Sequence, residues 1–344
     1  MNRTNIRILA GAAAAVVLAA ALFSYDGLSA NRTNAKDISS ARSATHKSSA
    51  VAKVQAAPHA SEVPSSEAPK PIRFTDKLTN SIVKNPDSLK KSLHSTNAVL
   101  IDVNGASVLM DKSAGQKIYP ASMTKIMTAI LTIENVTNLQ EKVTVNKATI
   151  DEMNSLGASM AGFEAGEQVS VLDLLYGAIL PSGAECCATL ADHLAGSEES
   201  FAIVMNQKAR SLGMSGTHFV NTSGLHDPNH YTTCRDLATL LCYALRNPTF
   251  RRVFTTPSYT TLPTNKHPNG VSFQSTMFRC LNSANVGKTT ILGGKVGFTD
   301  EAGLCLASLA EYGGKEYILV TAGGRDCYRA EIQDALTVYG SLGK

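Results

Sequence analysis

The chain lacks blocks of like charge, paired-cysteine spacings and any apolar run of ordinary membrane-spanning length. Its 344 residues carry a formal charge of only +4, and acidic and basic residues are interspersed. This charge pattern argues against nucleic acid as a partner. Because 44% of the residues are hydrophobic, the chain can bury a sizeable core, and we expect a globular protein.

The seven cysteines are odd in number, and none stands in a CxxC or other metal-ligand spacing. They lie at positions 186, 187, 234, 242, 280, 305 and 327. We therefore expect them to serve as small buried hydrophobic side chains, and we expect no metal and no other cofactor.

An apolar run near the N-terminus predicts export from the cytoplasm. It extends from Ile8 to Phe23, follows Arg3 and Arg7, and leads into small residues up to Ala30. A spanning helix usually needs roughly 20 apolar residues, so this run is short for a membrane anchor. Residues 1–30 are expected to be either a cleaved signal peptide or an uncleaved anchor, and any membrane tether is expected to use residues 8–23.

Composition divides the rest of the chain into a spacer and a folded domain. Residues 31–73 are rich in Ser, Ala, Lys and Pro and have no apolar period, which predicts a disordered spacer. The folded domain is expected to cover residues 74–344.

The pattern of the folded domain predicts an α+β fold. Two apolar runs around Asn104-Gly105 predict a β-hairpin. Further strands are predicted at 304–309 and 317–321, and a closing helix at 330–339. Between these ends the apolar residues follow a helical period, with helices expected at 171–179, 184–194, 201–212 and 234–245. We therefore expect an antiparallel sheet built from both chain ends, with a helical block inserted between them.

The pair Ser122 and Lys125 is the first candidate for chemistry. Pro120 precedes a long apolar run and marks a helix start, so the two side chains lie three residues apart on one face. A serine needs a base, and burial favours the neutral amine that lets a lysine act as one. The same spacing occurs at Ser81–Lys84 and Ser88–Lys91, so spacing alone decides little. Only Ser122 follows a helix-starting proline and also precedes a long apolar helix.

Two further segments add candidate residues. Ser182 lies in a break between two predicted helices, where a serine can point into a cleft or serve as an N-cap. Lys295 lies in a glycine-rich stretch, Gly293 to Gly303, just before the strand at 304. Glycines beside a lysine on an edge strand let backbone and cation approach a ligand, although a glycine-rich turn with a solvated lysine has the same pattern.

Taken in this order, the three segments resemble the active-site motifs Ser-x-x-Lys, Ser-x-Asn and Lys-Thr-Gly of the serine penicillin-recognising enzymes. The surrounding residues, among them Tyr119 to Lys125, Asn221 to Leu225 and Gly297 to Gly303, are most similar to those of the D-Ala-D-Ala carboxypeptidases, peptidase family S11. The similarity runs from about residue 98 to 342. It implies the serine β-lactamase/DD-peptidase-like fold.

The resemblance implies a function and a role for each residue. Ser122 is expected to form an acyl-enzyme with a peptidoglycan stem pentapeptide and to release the terminal D-Ala, and β-lactam antibiotics are expected to inhibit it. Lys125 is implied as the base and Ser182 as a proton relay. The implied substrate-binding residues are Lys295, Gly297, Phe298, Thr299 and Arg329. Among these, the backbone amides of Ser122 and Phe298 are implied to form the oxyanion hole, and Arg329, in preference to Arg325, to bind the terminal carboxylate.

Two positions depart from the motifs. Ala184 stands where the second motif has Asn, and Val296 where the third has Thr. Loss of one positioning hydrogen bond costs on the order of 1 to 3 kcal/mol. We expect Ala184 to lower activity roughly tenfold to a hundredfold, and Val296 to preserve the strand.

Three other functions fit parts of the sequence. A catalytically weakened penicillin-binding sensor or scaffold is suggested by Ala184 and Val296. A serine β-lactamase would need a base for deacylation, and residues 224–257 offer no clear glutamate. A zinc peptidase is suggested by His226 and His230, but Pro228 between them opposes the helix that would place both on one face; we expect loop histidines packed near the cleft.

Overall fold

The structure is a computed structural model that describes residues 72, 74, 75, 82–325 and 327–344. The predicted export segment, 1–30, and nearly all of the predicted spacer, 31–73, lie outside the described residues. All described residues belong to one compact unit that covers residues 64–344. Within the described part of the chain, none of the helices combines the length and apolarity that crossing a bilayer requires.

The strands that the structure describes form one large sheet and two short two-stranded sheets. In chain order they are β1 Asn97–Asp102, β2 Ser107–Lys112, β3 Lys142–Thr144, β4 Gln168–Ser170, β5 Ser258–Thr260, β6 Ser272–Gln274, β7 Asn285–Val286, β8 Thr289–Thr299, β9 Gly303–Tyr312 and β10 Lys315–Gly324. The large sheet has six antiparallel strands in the order β2-β1-β10-β9-β8-β7. Strands from both ends of the domain therefore meet at its centre, where β1 pairs with β10.

The described helices lie mostly between these two groups of strands in the chain. They are α1 Pro86–Ser92, α2 Lys125–Asn135, α3 Lys147–Ser155, α4 Val171–Ile179, α5 Ala184–Ala195, α6 Glu198–Ser211, α7 Cys234–Ala244, α8 Pro248–Thr255 and α9 Ala330–Gly340. Two 3-10 turns, Ala121–Thr124 and Phe278–Cys280, complete the set. The α+β prediction is confirmed.

The sheet is buried on both faces, because successive side chains of a strand point to opposite sides. In β1, Val99 and Ile101 join the larger core cluster with the helical block, while Ala98 and Leu100 join a second cluster with α9. This sandwich holds β8 and β9 in a fixed position against the start of α2. Five of the seven cysteines are fully buried, as expected, whereas Cys280 and Cys327 are partly exposed; all seven are free thiols.

Local signals placed most of these elements correctly. The hairpin around Asn104-Gly105 is present, with Ala98 opposite Lys112, and α4 has the predicted bounds. The sequence prediction missed the length of β8, which extends through the glycine-rich stretch that it treated as lying before the strand. Glycine disfavours strands on intrinsic grounds, and here pairing with β9 along nearly the whole of β8 overrides that preference.

Candidate active site

Ser122 and Lys125 lie at the junction of a 3-10 turn and an α-helix. Ser122 is within the turn Ala121–Thr124, and Lys125 is the first residue of α2. The Lys125 Nζ lies 3.0 Å from the Ser122 Oγ. It also donates to the Ser223 carbonyl oxygen at 2.6 Å. One partner thus fixes the amine while its other side faces the serine hydroxyl.

The surroundings of Lys125 favour a neutral amine. Its side chain is buried, and this desolvation lowers its pKa. Negative charge at Glu185 and Glu198 acts in the opposite direction and raises the pKa, but among the described residues neither acid forms an ion pair with the amine. A buried, uncompensated lysine is the form that can accept the proton of a serine hydroxyl.

The Ser223 carbonyl that holds Lys125 is itself fixed by neighbouring residues. The Thr128 hydroxyl donates to the Thr222 carbonyl at 2.7 Å. The Glu198 carboxylate accepts the Thr222 backbone N–H at 2.8 Å and the Thr222 hydroxyl in a short hydrogen bond. Gly224 has a φ of +86°, and a Cβ there would lie 1.8 Å from the Ala121 carbonyl oxygen, so only glycine fits. The segment can therefore pack directly against the turn that carries Ser122.

His230 connects the same segment to the turn that carries Ser122. Its Nδ1 accepts the backbone N–H of Val220 at 3.1 Å, and its Nε2 lies 2.8 Å from the Thr124 hydroxyl. With Nδ1 as acceptor, the ring is assigned as the neutral tautomer that carries its proton on Nε2. Burial lowers the pKa of His230 to about 4. The prediction of a loop histidine near the cleft placed it correctly but missed its buried hydrogen bonds. No cluster of three metal-binding side chains occurs among the described residues.

Ser182 and Lys295 form a second serine–lysine pair. The Lys295 Nζ donates to the Ser182 Oγ at 2.9 Å and to the Val296 carbonyl oxygen at 2.9 Å. Burial lowers the pKa of Lys295 well below its ordinary value, and repulsion from Lys125 lowers it further. Ser182 has a φ of +74° in the break between α4 and α5. The N-cap of α5 is Gly183, so Ser182 does not cap that helix.

Strand β8 brings Gly297 and the exposed Phe298 beside Ser122. A Cβ on Gly297 would lie 3.0 Å from the Ser122 backbone nitrogen and 3.1 Å from the Ala121 Cβ. This close approach favours glycine and brings the next residue, Phe298, near the serine as well. Phe298 is 59% exposed. The geometry thus places two backbone segments, one at Ser122 and one at Phe298, around a single point.

A cavity of about 460 Å³ opens over Ser122 and Lys125. Its walls are formed by residues 156–159, 223–226 and 298–301, together with Ala184. The predicted residues Ser122, Lys125, Phe298 and Thr299 therefore line one cavity, while Ser182, Lys295, Gly297 and Arg329 lie outside its walls.

The two arginines considered for carboxylate binding occupy different places. The guanidinium of Arg329 lies over the Tyr328 ring, 5.0 Å from its centroid, at the start of α9. Arg325 donates to the carbonyl oxygens of Asp300 and Glu301 at 2.9 and 3.0 Å. It therefore supports the turn that forms one wall of the cavity, and Arg329 does not reach the walls.

The two motif departures lie in apolar surroundings. Ala184 lines the cavity and packs with Met153 and Ala188 in a small apolar cluster. Val296 is partly buried and packs against the core cluster that contains α9. Both positions thus retain a packing role without a polar side chain.

Comparison with known proteins identifies the family. Residues 81–326 match the family model of peptidase S11, described as D-alanyl-D-alanine carboxypeptidase. The chain belongs to this family.

Individual relatives agree with this assignment. The chain is 33% identical over 219 residues to the D-alanyl-D-alanine carboxypeptidase of Streptomyces sp. strain K15, covering 62% of this chain and 75% of that protein. It is 32% identical over 229 residues to DacF of Bacillus subtilis, covering 66% of this chain and 56% of DacF. The chain thus spans little more than half the length of DacF, and 37% of the length of DacC of Escherichia coli.

Solved structures share the fold. The crystal structure of the Streptomyces K15 DD-transpeptidase superposes with a TM-score of 0.65 at 30% identity, covering 72% of this chain and 97% of that one. A D-alanyl-D-alanine carboxypeptidase from Mycobacterium tuberculosis superposes with a TM-score of 0.63 at 23% identity. The predicted DD-peptidase-like fold is therefore confirmed.

Proposed function

We propose that the chain is a serine-type D-Ala-D-Ala carboxypeptidase that removes the terminal D-Ala from peptidoglycan stem pentapeptides. The observation that carries this proposal is the buried Lys125 amine, 3.0 Å from the Ser122 hydroxyl at the floor of the cavity. Family membership supplies the substrate class, and the site supplies a nucleophile with its base.

The proposed reaction has two acyl-transfer steps. The Ser122 Oγ attacks the carbonyl carbon of the D-Ala-D-Ala peptide bond while Lys125 accepts its proton. The C–N bond then breaks, and the proton held by Lys125 is relayed through Ser182 to the amine of the departing D-Ala. Water then attacks the ester on Ser122 while Lys125 accepts one of its protons. That proton passes to the Ser122 Oγ as the ester bond breaks, and the shortened peptide leaves as a carboxylate, its remaining proton going to solvent.

The other site residues have proposed roles in binding. The backbone N–H groups of Ser122 and Phe298 stabilise the oxyanion, because Gly297 brings β8 against the serine. Lys295 and Thr299 attract the terminal carboxylate. Arg329 remains a proposed carboxylate ligand that acts at longer range, since it lies outside the cavity walls.

The proposed setting is the outer face of the cell membrane or the cell wall. Peptidoglycan stem peptides are found there, and the apolar run at residues 8–23 supports export. Cleaved and membrane-tethered forms both place the catalytic domain beside its substrate.

The proposal is tested with a labelled penicillin and mass spectrometry of the adduct. We expect covalent label on Ser122 that is lost in Ser122→Ala. Ser88→Ala is a matched control, since Ser88 precedes Lys91 at the same spacing but lies on α1; this variant should keep the label. Absence of label on the wild-type protein would overturn the proposal.

Release of D-Ala from a stem pentapeptide separates the remaining functions. We expect stoichiometric D-Ala and tetrapeptide. Stable penicillin label without D-Ala release would indicate the sensor or scaffold function that Ala184 suggests. Rapid turnover of the penicillin would indicate a β-lactamase.

A further inference from the structure

We propose that Glu185 is a positioning residue for this reaction: its buried carboxylate ties residues 161–162, which follow the cavity wall at 156–159, to α5 and keeps a negative charge near Lys125. The inference rests on the proposed function. It concerns a residue that touches neither Ser122 nor the cavity in the described structure.

Glu185 forms a tether between two segments of the site. Its Oε1 accepts the backbone N–H of Ala161 at 2.6 Å and of Gly162 at 3.0 Å. A second link runs in the opposite direction, because the Ala184 backbone N–H donates to the Ser159 carbonyl oxygen at 2.7 Å. Since residues 157–159 line the cavity, the tether sets the distance between this wall and the segment that carries Ser182.

Burial raises the pKa of Glu185, although the backbone N–H donors of Gly162 and Ala161 act in the opposite direction. The Glu185 side chain is fully buried, yet its Oε2 has no hydrogen-bond partner in the described part of the chain. Gly183 leaves the space for it, since a Cβ on that residue would lie 2.9 Å from the Oε2 and 2.7 Å from the Ala161 Cβ. An unpaired buried carboxylate is costly, and residues that keep such a cost are concentrated at functional sites.

The charge of Glu185 acts on Lys125. The groups that face Lys125 are Glu185, Cys186 and Cys187 on α5, Glu198 on α6, Lys295 on β8 and His230. Burial has the largest effect and favours the neutral amine of Lys125. The groups that favour the protonated amine are, in decreasing order, Cys187, Glu185, Cys186 and Glu198. Glu198 also holds the Thr222 backbone. Glu185 therefore raises the pKa of Lys125. It can be substituted without removing the hydrogen bond from Lys125 to the Ser223 carbonyl oxygen.

The tether and the charge can be separated by substitution. Glu185→Gln keeps an acceptor oxygen for Ala161 and Gly162 but removes the charge, whereas Glu185→Ala removes both. Glu152→Gln is the matched control, because Glu152 is an exposed acid on α3. The experiment measures the second-order rate constant of Ser122 acylation by penicillin against pH, with thermal unfolding of each variant as a measure of folding.

We expect the acid limb of the Glu185→Gln profile to move to lower pH by about 0.5 unit, which is about threefold faster acylation on that limb. We expect Glu185→Ala to acylate roughly tenfold more slowly near neutral pH because the cavity wall is released. The control should overlay the wild type. An acid limb that does not move in Glu185→Gln, or a normal rate in Glu185→Ala, would overturn the inference.

Hydrogen exchange in the wild type decides the outcome if a variant does not fold. The amides of Ala161 and Gly162 should be protected, and rapid exchange at both would refute the tether. Failure of the proposed function looks different, since the wild-type protein would then not be labelled by penicillin at all.

Discussion

His230 is expected to make the stability of this domain depend on pH. The ring is buried between the Thr124 hydroxyl and the backbone N–H of Val220, and its hydrogen bonds require the neutral form. Protonation would place a donor on Nδ1 against the N–H donor of Val220. Protonation of His230 is therefore unfavourable in the folded protein but not in the unfolded chain.

The magnitude follows from the difference between the two states. The pKa is about 4 in the fold against 6.5 for an ordinary histidine, a difference of 2.5 units. At about 1.4 kcal/mol per unit, this difference contributes about 3 kcal/mol to the free energy of unfolding when His230 is neutral in both states. Between pH 6.5 and 4 the unfolded state binds the proton and the native state does not, so the free energy of unfolding falls as pH falls through this window.

The assay is urea unfolding of the wild type and His230→Gln at several pH values from 4 to 7. The variant loses hydrogen bonds and should be less stable at pH 7, but the gap should narrow by about 3 kcal/mol as the pH approaches 4. His94→Gln, at an exposed position, should follow the wild type throughout. A gap between wild type and His230→Gln that stays constant with pH would refute the assignment of a buried neutral histidine.

Three further predictions concern the proposed base, the proposed proton relay and a glycine that packs against the turn carrying Ser122. Lys125→Met removes the base, so penicillin acylation should fall by about 10²- to 10⁴-fold in stopped-flow measurements, and a smaller loss would point to another base. Ser182→Ala leaves the Lys295 amine, among the described residues, with the Val296 carbonyl as its hydrogen-bond partner and should slow D-Ala release about tenfold or more; an unchanged rate would contradict the relay. Gly224→Ala forces a Cβ to within 1.8 Å of the Ala121 carbonyl oxygen and should lower the free energy of unfolding by more than about 2 kcal/mol, a prediction that an unshifted thermal midpoint would contradict.

Local sequence signals predicted the elements that depend on local chemistry. Pro120 marked the start of the turn and helix that carry Ser122 and Lys125, and Asn104-Gly105 marked the hairpin, because both act through the backbone of a few adjacent residues. The break around Ser182 was likewise visible between two apolar periods. These signals were sufficient to identify Ser122 and Lys125 as neighbours.

The groups that hold the site residues in place could not be predicted from such local signals. The Ser223 carbonyl is 98 residues from Lys125 in the chain, and a backbone group carries no mark in the sequence. Glu185 follows directly after Ala184 in the second motif, so its position could have drawn attention to it. Its role depends on the loop at 161 and 162, which only the tertiary fold brings to it.

The two serine–lysine pairs, Ser122 with Lys125 and Ser182 with Lys295, affect each other through the charges of their lysines. Lys125 and Lys295 are both buried, and the charge of each opposes protonation of the other. Protonation of both amines at the same time is therefore unfavourable. In the proposed reaction, a substrate carboxylate beside Lys295 stabilises the proton on that amine, and the opposite charges of the two groups largely offset each other at Lys125. Substrate binding would thus leave Lys125 as the neutral base that Ser122 needs.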